Sequence, residues 1–274
     1  MTAVPEGHTL HRLAARFNRR FGGRETHSTS PQGRFVVEAA ILDGLVLDEA
    51  EAHGKHLFLA FSEHMVHIHL GLAGKLTFGR TDGVESTVRW RLEADGARAE
   101  LRGPAACRLL TASEVDDLIE RLGPDPLRPD ADPDRAWERI RVSRRPVGAL
   151  LMDQRVLSGV GNIYRAEVLY RHRIDPFMEG RLLRLAEWSA IWGDLVTLMR
   201  RGVAVGRIDT VRPEHEPAAM GRAPRVDPHG GEVYVYRRAG QPCLVCSTPV
   251  RMRLMDGRNL FWCPRCQRRS RRQS

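Results

Sequence analysis

The segment CLVCSTPVRMRLMDGRNLFWCPRC, residues 243–266, contains the most specific pattern in this chain. It carries two CxxC pairs, and sixteen residues separate the first pair from the second. Such spacing can place four thiolates tetrahedrally around one Zn²⁺, whereas a redox-active pair is the alternative. We predict one structural Zn²⁺, which holds together a segment too small for a core of its own. The expected ligands are Cys243, Cys246, Cys263 and Cys266.

The residues between the two cysteine pairs are expected to form a β-hairpin with Arg258 at or near its tip. An arginine held in that position can form a forked pair of hydrogen bonds with a phosphate. From spacing alone, a solvated surface arginine is the simpler interpretation.

Upstream of the cysteines, the segment LSGVGNIY (residues 157–164) links two apolar helical patterns. Its two glycines allow a tight turn, and a helix that begins at Asn162 presents free N–H groups and the positive end of its dipole. This geometry suits a phosphate. A nucleotide-binding glycine motif is a poor match because no strand is predicted before it, and an ordinary turn between helices remains the alternative.

The middle of the chain is predicted to be helical, with almost no strand pattern. A helix capped by Ser113 runs to about Leu122. Residues 206–231 are rich in Pro, Gly, Arg and His and are interpreted as a long mobile loop, and the basic tail 268–274 as disordered. The other predicted helices are Asp134–Val142, Val147–Asp153, Asn162–Arg171 and Arg181–Arg201.

The first 112 residues are predicted to form a sandwich of two antiparallel sheets with one flanking helix. The helix spans Glu6–Phe21, where apolar residues fall on one face. Alternating apolar residues between glycine-containing turns indicate short strands. These strands are His56–Phe61, Val66–Leu70, Lys75–Phe78, Thr87–Leu92 and Arg98–Leu101. The predicted fold class is therefore α+β with several domains.

The composition favours a polyanionic partner such as nucleic acid, because the formal net charge is +9 over 274 residues. Of the 43 basic residues, only Lys55 and Lys75 are lysines. We find neither an apolar run long enough to span a membrane nor a signal-peptide pattern. Four clustered cysteines beside the single Cys107 indicate an intracellular protein with a metal site, not a disulfide scaffold.

Four motifs, in order, resemble those of the formamidopyrimidine-DNA glycosylase and endonuclease VIII family, and their spacing matches over nearly the whole chain. They are Pro5-Glu6-Gly7, Gly54-Lys55-His56-Leu57, Gly159–Tyr164 and Gly257-Arg258 within the cysteine-rich segment. The resemblance implies a catalytic β-sandwich domain at 5–112, a helix–two-turns–helix DNA-binding domain at 113–231 and a zinc finger at 232–268. It also implies damaged DNA as the partner and a cytoplasmic, nucleoid-associated monomer.

The resemblance further implies a bifunctional glycosylase and abasic-site lyase that works through a Schiff base and cuts the strand by β- and δ-elimination. Pro5 resembles the nucleophile, Glu6 the neighbouring acid and Lys55 the essential lysine. In the remaining motifs, Asn162 and Arg258 resemble phosphate-binding residues, and Arg258 is also linked to the last elimination. Arg121 matches a DNA-contacting arginine of endonuclease VIII.

Ordinary roles are the alternative for two of these catalytic candidates. Glu6 can simply favour a helix N-terminus, and Lys55 can be a surface residue of a strand.

The chain departs from the family at its start, because Met1-Thr2-Ala3-Val4 precede the proline. A proline nitrogen held in an amide has no usable lone pair, so Pro5 needs a free N-terminus to act as an amine. We expect translation to begin at position 4, where a GUG codon would initiate as methionine that is later removed. If Pro5 stays blocked, a non-catalytic zinc-finger DNA-binding protein is the alternative.

The second departure lies where the family inserts residues into the DNA. The endonuclease VIII pattern Gln-Leu-Tyr is replaced by Gly71-Leu72-Ala73, so that Leu72 alone remains as an apolar wedge. The Arg-Phe pair of formamidopyrimidine glycosylases is not evident at 103–110. We expect oxidised pyrimidines and abasic sites to be preferred, with 8-oxoguanine as the alternative lesion and single-stranded or bubble DNA as alternative substrates.

A dense set of histidines is a candidate for a second metal site. We expect no such site, because alternate strand positions should scatter the imidazoles over two faces. Cys107 is expected to be a buried thiol. The histidines are His53, His56, His64, His67 and His69.

Overall fold

The computed structural model describes residues 5–79, 84–227 and 231–268. Apart from Arg268, the tail predicted to be disordered lies outside the described residues. The chain divides into two compact units between Arg121 and Leu122. The domain limits at 112/113 and 231/232 stay predictions. No described helix is both long and apolar enough to cross a membrane.

The described part of the N-terminal unit contains two four-stranded antiparallel sheets and three α-helices. The helices are α1 (Gly7–Phe21), α2 (Val36–Leu42) and α3 (Ala112–Glu120). The strands are β1 (His27–Thr29), β2 (Glu49–His53), β3 (His56–Phe61), β4 (His64–His69), β5 (Lys75–Phe78), β6 (Val88–Ala94), β7 (Ala97–Arg102) and β8 (Ala106–Leu110). The strand orders are β2-β3-β4-β8 and β1-β6-β7-β5.

One hydrophobic core joins both sheets to α1, as alternation along the strands predicts. Phe17 and Phe21 of α1, Leu57 and Leu59 of β3, and Trp90 of β6 are all buried in it. This core confirms the predicted sandwich and its flanking helix.

The helix after the sandwich starts earlier than predicted. Thr111, not Ser113, caps α3: its hydroxyl accepts from the backbone N–H of Glu114, whose carboxylate accepts from the backbone N–H of Thr111. The prediction missed this reciprocal capping box, although its Thr-x-x-Glu pattern is present in the sequence.

As far as its residues are described, the C-terminal unit is helical, with one two-stranded sheet. Its helices are α4 (Pro133–Ile140), α5 (Val147–Leu150), α6 (Asn162–Arg171), α7 (Leu185–Val205) and α8 (Pro217–Met220). The strands β9 (Arg251–Met255) and β10 (Arg258–Trp262) pair antiparallel through a two-residue turn. Both turn residues, Asp256 and Gly257, have positive φ (46° and 72°), as a tight hairpin turn requires.

The segment 206–231 has more structure than the predicted mobile loop in its described part. It contains a 3₁₀ turn at Pro213–His215 and the short helix α8. The Glu232 carboxylate accepts hydrogen bonds from the Arg222 side chain (2.6 Å) and from the backbone N–H of Arg225 (2.5 Å). These contacts attach the segment to the chain that leads into the cysteine-rich region.

Candidate functional sites

The Pro5-Glu6 motif lies directly before α1. Glu6 occupies the N-cap position, yet its side chain makes no capping hydrogen bond, and the residue is only 2% exposed. Glu6 therefore does not cap α1 through a hydrogen bond, while its position at the start of the helix still agrees with the alternative of an acidic residue that favours a helix N-terminus. The buried Glu6 side chain directly follows Pro5 in the chain, which agrees with the prediction of an acid beside the nucleophile.

Lys55 lies in the two-residue turn between β2 and β3. His53 and His56 are the register pair that closes this turn, and Gly54 supplies a φ of 60°. Helix α1 packs against both β2 and β3, so the motifs that carry the candidates Glu6 and Lys55 belong to neighbouring elements of one unit.

Four of the five histidines lie on one face of the sheet. The prediction that the imidazoles are scattered over two faces is therefore wrong for these four. The antiparallel register places His53 opposite His56 and His56 opposite His69. His67 lies two residues before His69 and therefore on the same face of the sheet. Nδ1 of His56 and Nε2 of His67 are 2.8 Å apart, and their rings stack. Only His64 pairs with a core-facing residue, Phe61.

The pKa values of His56, His67 and His69 are all lowered, mainly by burial, which favours their neutral forms. Burial is the main cause that lowers the pKa of His56 to about 3, and the neighbouring histidines and Lys55 lower it further. Burial also lowers the pKa of His67 to about 4, with Arg108 contributing. Within the described residues, the cysteine cluster alone has the geometry of a metal site.

Leu72 lies in a turn of small residues that follows β4, and 56% of its surface is exposed. Gly71 has a φ of 66°, and a Cβ added there would lie 2.7 Å from the Ala105 Cβ. The turn 71–74 therefore packs closely against the turn at 103–105. Leu72 is the largest apolar side chain in these two turns.

Cys107 and Arg121 lie apart from these motifs. Cys107 in β8 is partly buried against the core instead of fully buried, and loss of hydration raises the pKa of its thiol to about 12. Arg121 is the exposed C-cap residue of α3.

The glycine turn before α6 is held by a side chain that the sequence interpretation missed. Nε2 of Gln154 donates to the carbonyl oxygens of Met152 (2.9 Å) and Val160 (3.0 Å). Oε1 of Gln154 accepts from the N–H of Gly159 at 3.0 Å. One amide therefore fixes the turn that leads to Asn162.

Asn162 begins α6 and connects it to the β9–β10 hairpin. Its Nδ2 donates to the Asn259 carbonyl oxygen at 2.9 Å, and its Oδ1 accepts from the fully buried Arg165. Asn259 follows the exposed Arg258 along β10. The structure thus joins Asn162 to the residue that follows Arg258, although Asn162 and Asn259 are 97 positions apart.

The four predicted zinc ligands converge. Their Sγ atoms all lie within 4.8 Å of one another. The Cys243–Cys266 and Cys246–Cys263 pairs have Sγ–Sγ distances of 3.9 and 3.5 Å. A tetrahedron with Zn–S bonds of about 2.3 Å has edges of about 3.8 Å. The cluster therefore fits a tetrahedral Zn²⁺ with all four positions filled by protein.

Three family models match successive parts of the chain. The formamidopyrimidine-DNA glycosylase N-terminal domain matches residues 4–106, and the formamidopyrimidine-DNA glycosylase H2TH domain matches residues 122–213. The zinc finger found in FPG and IleRS matches residues 240–269.

Whole-length relatives and solved structures agree with these matches. Endonuclease 8 1 of Mycobacterium tuberculosis is 51% identical over 271 residues, which cover 96% of this chain and 100% of the relative. Endonuclease 8 2 of Mycobacterium bovis is 34% identical, with 97% and 100% covered. The structure of Lactococcus lactis Fpg with an abasic site containing DNA shares the fold, with a TM-score of 0.77, 20% identity, and 96% and 100% coverage.

Proposed function

Because this chain belongs to the formamidopyrimidine-DNA glycosylase and endonuclease VIII family, we propose that it removes oxidised bases through a Schiff base on Pro5. It is a DNA glycosylase with abasic-site lyase activity in base excision repair. The preferred substrates in this proposal are oxidised pyrimidines and abasic sites. The observation that carries the mechanism is the buried Glu6 carboxyl group, which follows Pro5 without capping α1.

In the proposed first step, the Pro5 nitrogen lone pair forms a bond to the sugar C1′ while the C1′–base bond breaks and its electron pair leaves with the base. The proton that the Pro5 nitrogen then loses is taken up by the departing base. A proline amine is less basic than a lysine amine, so more of it is unprotonated near neutral pH. The Glu6 carboxyl group then gives its proton to the ring oxygen as the C1′–O4′ bond breaks. The product is a ring-opened iminium ion on Pro5.

Strand cleavage follows from the charge of this iminium ion. It acidifies the C2′ protons, so that loss of one proton expels the 3′ phosphate by β-elimination. Loss of a further proton expels the 5′ phosphate by δ-elimination. Lys55 supplies a proton or a positive charge near the sugar, and Arg258 binds a phosphate and assists the last elimination.

In this proposal, DNA binding depends on Asn162 and on Arg258, whose neighbour Asn259 is hydrogen-bonded to Asn162. The Asn162 amide and the Arg258 guanidinium group bind phosphates, and Arg121 adds a further contact. Leu72 fills the space left by the extruded nucleotide. One structural Zn²⁺ holds the hairpin that carries Arg258, and the protein acts as a monomer on duplex DNA.

The mechanism requires a mature protein that starts at Pro5. The N-terminal family match begins at residue 4, directly before this proline, which supports initiation at that position. Intact mass of the protein expressed from its native gene tests this hypothesis. A mature N-terminus at Thr2 together with full lyase activity would contradict both the start site and the nucleophile.

Borohydride trapping on an abasic-site duplex tests the nucleophile. We expect a covalent adduct with protein that starts at Pro5, and none with the matched protein that retains Met1–Val4. Adduct formation by both proteins would place the nucleophile elsewhere. No adduct with either, alongside normal DNA binding, would favour a non-catalytic DNA-binding protein.

The lesion preference needs a separate measurement. Single-turnover excision rates are compared for an oxidised pyrimidine and for 8-oxoguanine, each placed in duplex, bubble and single-stranded DNA. We expect the highest rates for the oxidised pyrimidine. Faster excision of 8-oxoguanine would overturn the preference. The ratio of bubble to duplex rates measures how far Leu72 alone supports extrusion from a duplex.

A further inference from the structure

The two ends of α6 lie at different functional sites. Its first residue is Asn162, and Tyr170 lies in its last turn. Eight residues of helix correspond to a rise of about 12 Å. Tyr170 is 5% exposed, and its hydroxyl oxygen lies 3.0 Å from Sγ of Cys243 and 4.0 Å from Sγ of Cys266. The helix that begins at the phosphate site therefore ends at the cysteine cluster.

The direction of this hydrogen bond follows from the chemistry of the ligands. A cysteine that binds Zn²⁺ has lost its proton, so Tyr170 has to be the donor and the Cys243 thiolate the acceptor. Among the described residues, the only hydrogen-bond partners of this hydroxyl are cysteine Sγ atoms, that of Cys243 at 3.0 Å and that of Cys266 at 4.0 Å. Cys243 is 3% exposed, so water contributes little to the solvation of its thiolate. A buried thiolate gains most from such a donor.

The Tyr170 ring is itself held in place. It stacks on the Tyr234 ring with centroids 4.6 Å apart and an interplanar angle of 27°. The Tyr234 hydroxyl accepts from the backbone N–H of Arg212 at 2.9 Å and lies 2.9 Å from Nδ1 of His215. Both of these partners belong to the segment 206–231. The aromatic pair thus connects the cysteine cluster to that segment as well as to α6.

We propose that Tyr170 is an outer-shell positioning residue of the zinc centre, whose hydroxyl stabilises the Cys243 thiolate and joins the metal site to the helix that carries Asn162. This inference rests on the zinc site of the proposed function. Hydrogen bonds from outer-shell residues orient metal ligands, and their loss typically costs about 10- to 100-fold in metal affinity. Zinc binding therefore stabilises the end of α6 as well as the hairpin.

The test compares Tyr170→Phe with the matched variant Tyr234→Phe in the full-length zinc-loaded protein. Each change removes one hydroxyl and keeps the stacked rings, but only the first hydroxyl contacts a thiolate. Zinc affinity is measured by competition with a chelator at pH 7.5. We expect Tyr170→Phe to weaken zinc binding about 10- to 100-fold and Tyr234→Phe to leave it within twofold. Equal affinity in Tyr170→Phe and the unmodified protein would overturn the proposal.

The absorption spectrum of the cobalt-substituted protein distinguishes loss of the hydrogen bond to the thiolate from a general loosening of the metal site. A thiolate that loses a hydrogen bond gives up its electrons more easily, so the sulfur-to-cobalt charge-transfer band moves to lower energy. We expect this shift in Tyr170→Phe alone. The same shift in Tyr234→Phe, or no shift in either variant, would assign Tyr170 a purely packing role.

The zinc content of the unmodified protein distinguishes an error about the zinc site from an error about the role of Tyr170. Less than one equivalent after purification with excess zinc would mean that the zinc site itself is wrong. One equivalent, together with unchanged affinity and spectrum in Tyr170→Phe, would overturn the role of Tyr170 and leave the zinc site intact.

Discussion

The two units of the protein position their candidate functional residues in different ways. In the N-terminal unit, Lys55 and Leu72 lie in short turns between strands, so local chain geometry sets their positions. In the C-terminal unit, Asn162 and the strand that carries Arg258 are joined by a hydrogen bond between residues far apart in sequence. We therefore expect substitution of Glu6 in the first unit to alter mainly the chemistry, and disruption of the hairpin in the second unit to alter mainly the affinity for DNA.

The strongest test of this division is Glu6→Gln. We expect the single-turnover rate of base excision to fall about 10²- to 10⁴-fold, because the amide cannot protonate the sugar ring oxygen. DNA affinity should stay within twofold. Glu49→Gln, at an exposed position in β2, is the control for loss of a carboxylate. A fall in affinity that accounts for the lost rate would show that the first unit does not act through chemistry alone.

Disruption of the cysteine cluster should have the next largest effect. We expect Cys246→Ala to lower DNA affinity about 100-fold, since the hairpin that presents Arg258 depends on the bound metal for its fold. Cys107→Ala removes a cysteine outside the cluster and should leave affinity unchanged. Fluorescence anisotropy with an abasic-site duplex measures both variants. Unchanged affinity in Cys246→Ala would break the link between the zinc site and DNA binding.

Arg258→Gln should weaken DNA binding about tenfold, which corresponds to the loss of one charge-assisted hydrogen bond. The slope of log K against log salt should become shallower by about 0.9, because one phosphate contact is lost. Arg251→Gln, in the exposed part of β9, is the control. An equal change of slope in both variants would mean that Arg258 makes no specific phosphate contact and that the hairpin arginines act on DNA only through their total charge.

The smallest expected effect concerns the neutral histidines of the N-terminal unit. The folded-state pKa values of His56 and His67, about 3 and 4, lie below the unfolded value of 6.5. At pH values between the folded-state and unfolded-state pKa, the unfolded chain binds more protons than the folded chain. The free energy of unfolding should therefore fall as the pH is lowered from about 6.5 to 4. The slope should reach about 1.4 kcal/mol per pH unit for each histidine that titrates.

Urea unfolding at a series of pH values measures this slope. His67→Gln keeps a polar side chain but cannot titrate, so we expect a shallower slope in this variant. His64→Gln, on the other face of the sheet, is the matched control and should keep the original slope. Equal slopes in all three proteins would mean that other groups cause the pH dependence.

Local patterns were sufficient to predict most of the fold. The predicted span Asn162–Arg171 agrees with α6, and Lys75–Phe78 agrees with β5. The CxxC spacing likewise identified ligands whose sulfur atoms converge. In each case the determining contacts lie within a short window of sequence. Helix α2 was missed because it is short and begins with exposed, β-branched Val36 and Val37, which give no helical apolar stripe.

The rest of the candidate sites depends on contacts that no local pattern shows. The single-face arrangement of His53, His56 and His69 depends on strand register, which aligns positions from three strands. The bond between Tyr170 and Cys243 joins residues 73 positions apart. Sequence spacing therefore identified the cysteine ligands but could not identify the side chain that hydrogen-bonds to one of them.

The close approach of Gly71 to Ala105 restricts how this enzyme can change over evolutionary time. Any side chain at position 71 would meet the Ala105 methyl group and would also have to adopt a φ of 66°. Restoring a glutamine beside Leu72 by one substitution would therefore strain the turn before it brought any benefit. A compensating change at position 105 has to come first or together with it. A glutamine at position 71 is thus not readily reached by stepwise mutation, and a designer who wants one there has to rebuild both turns together.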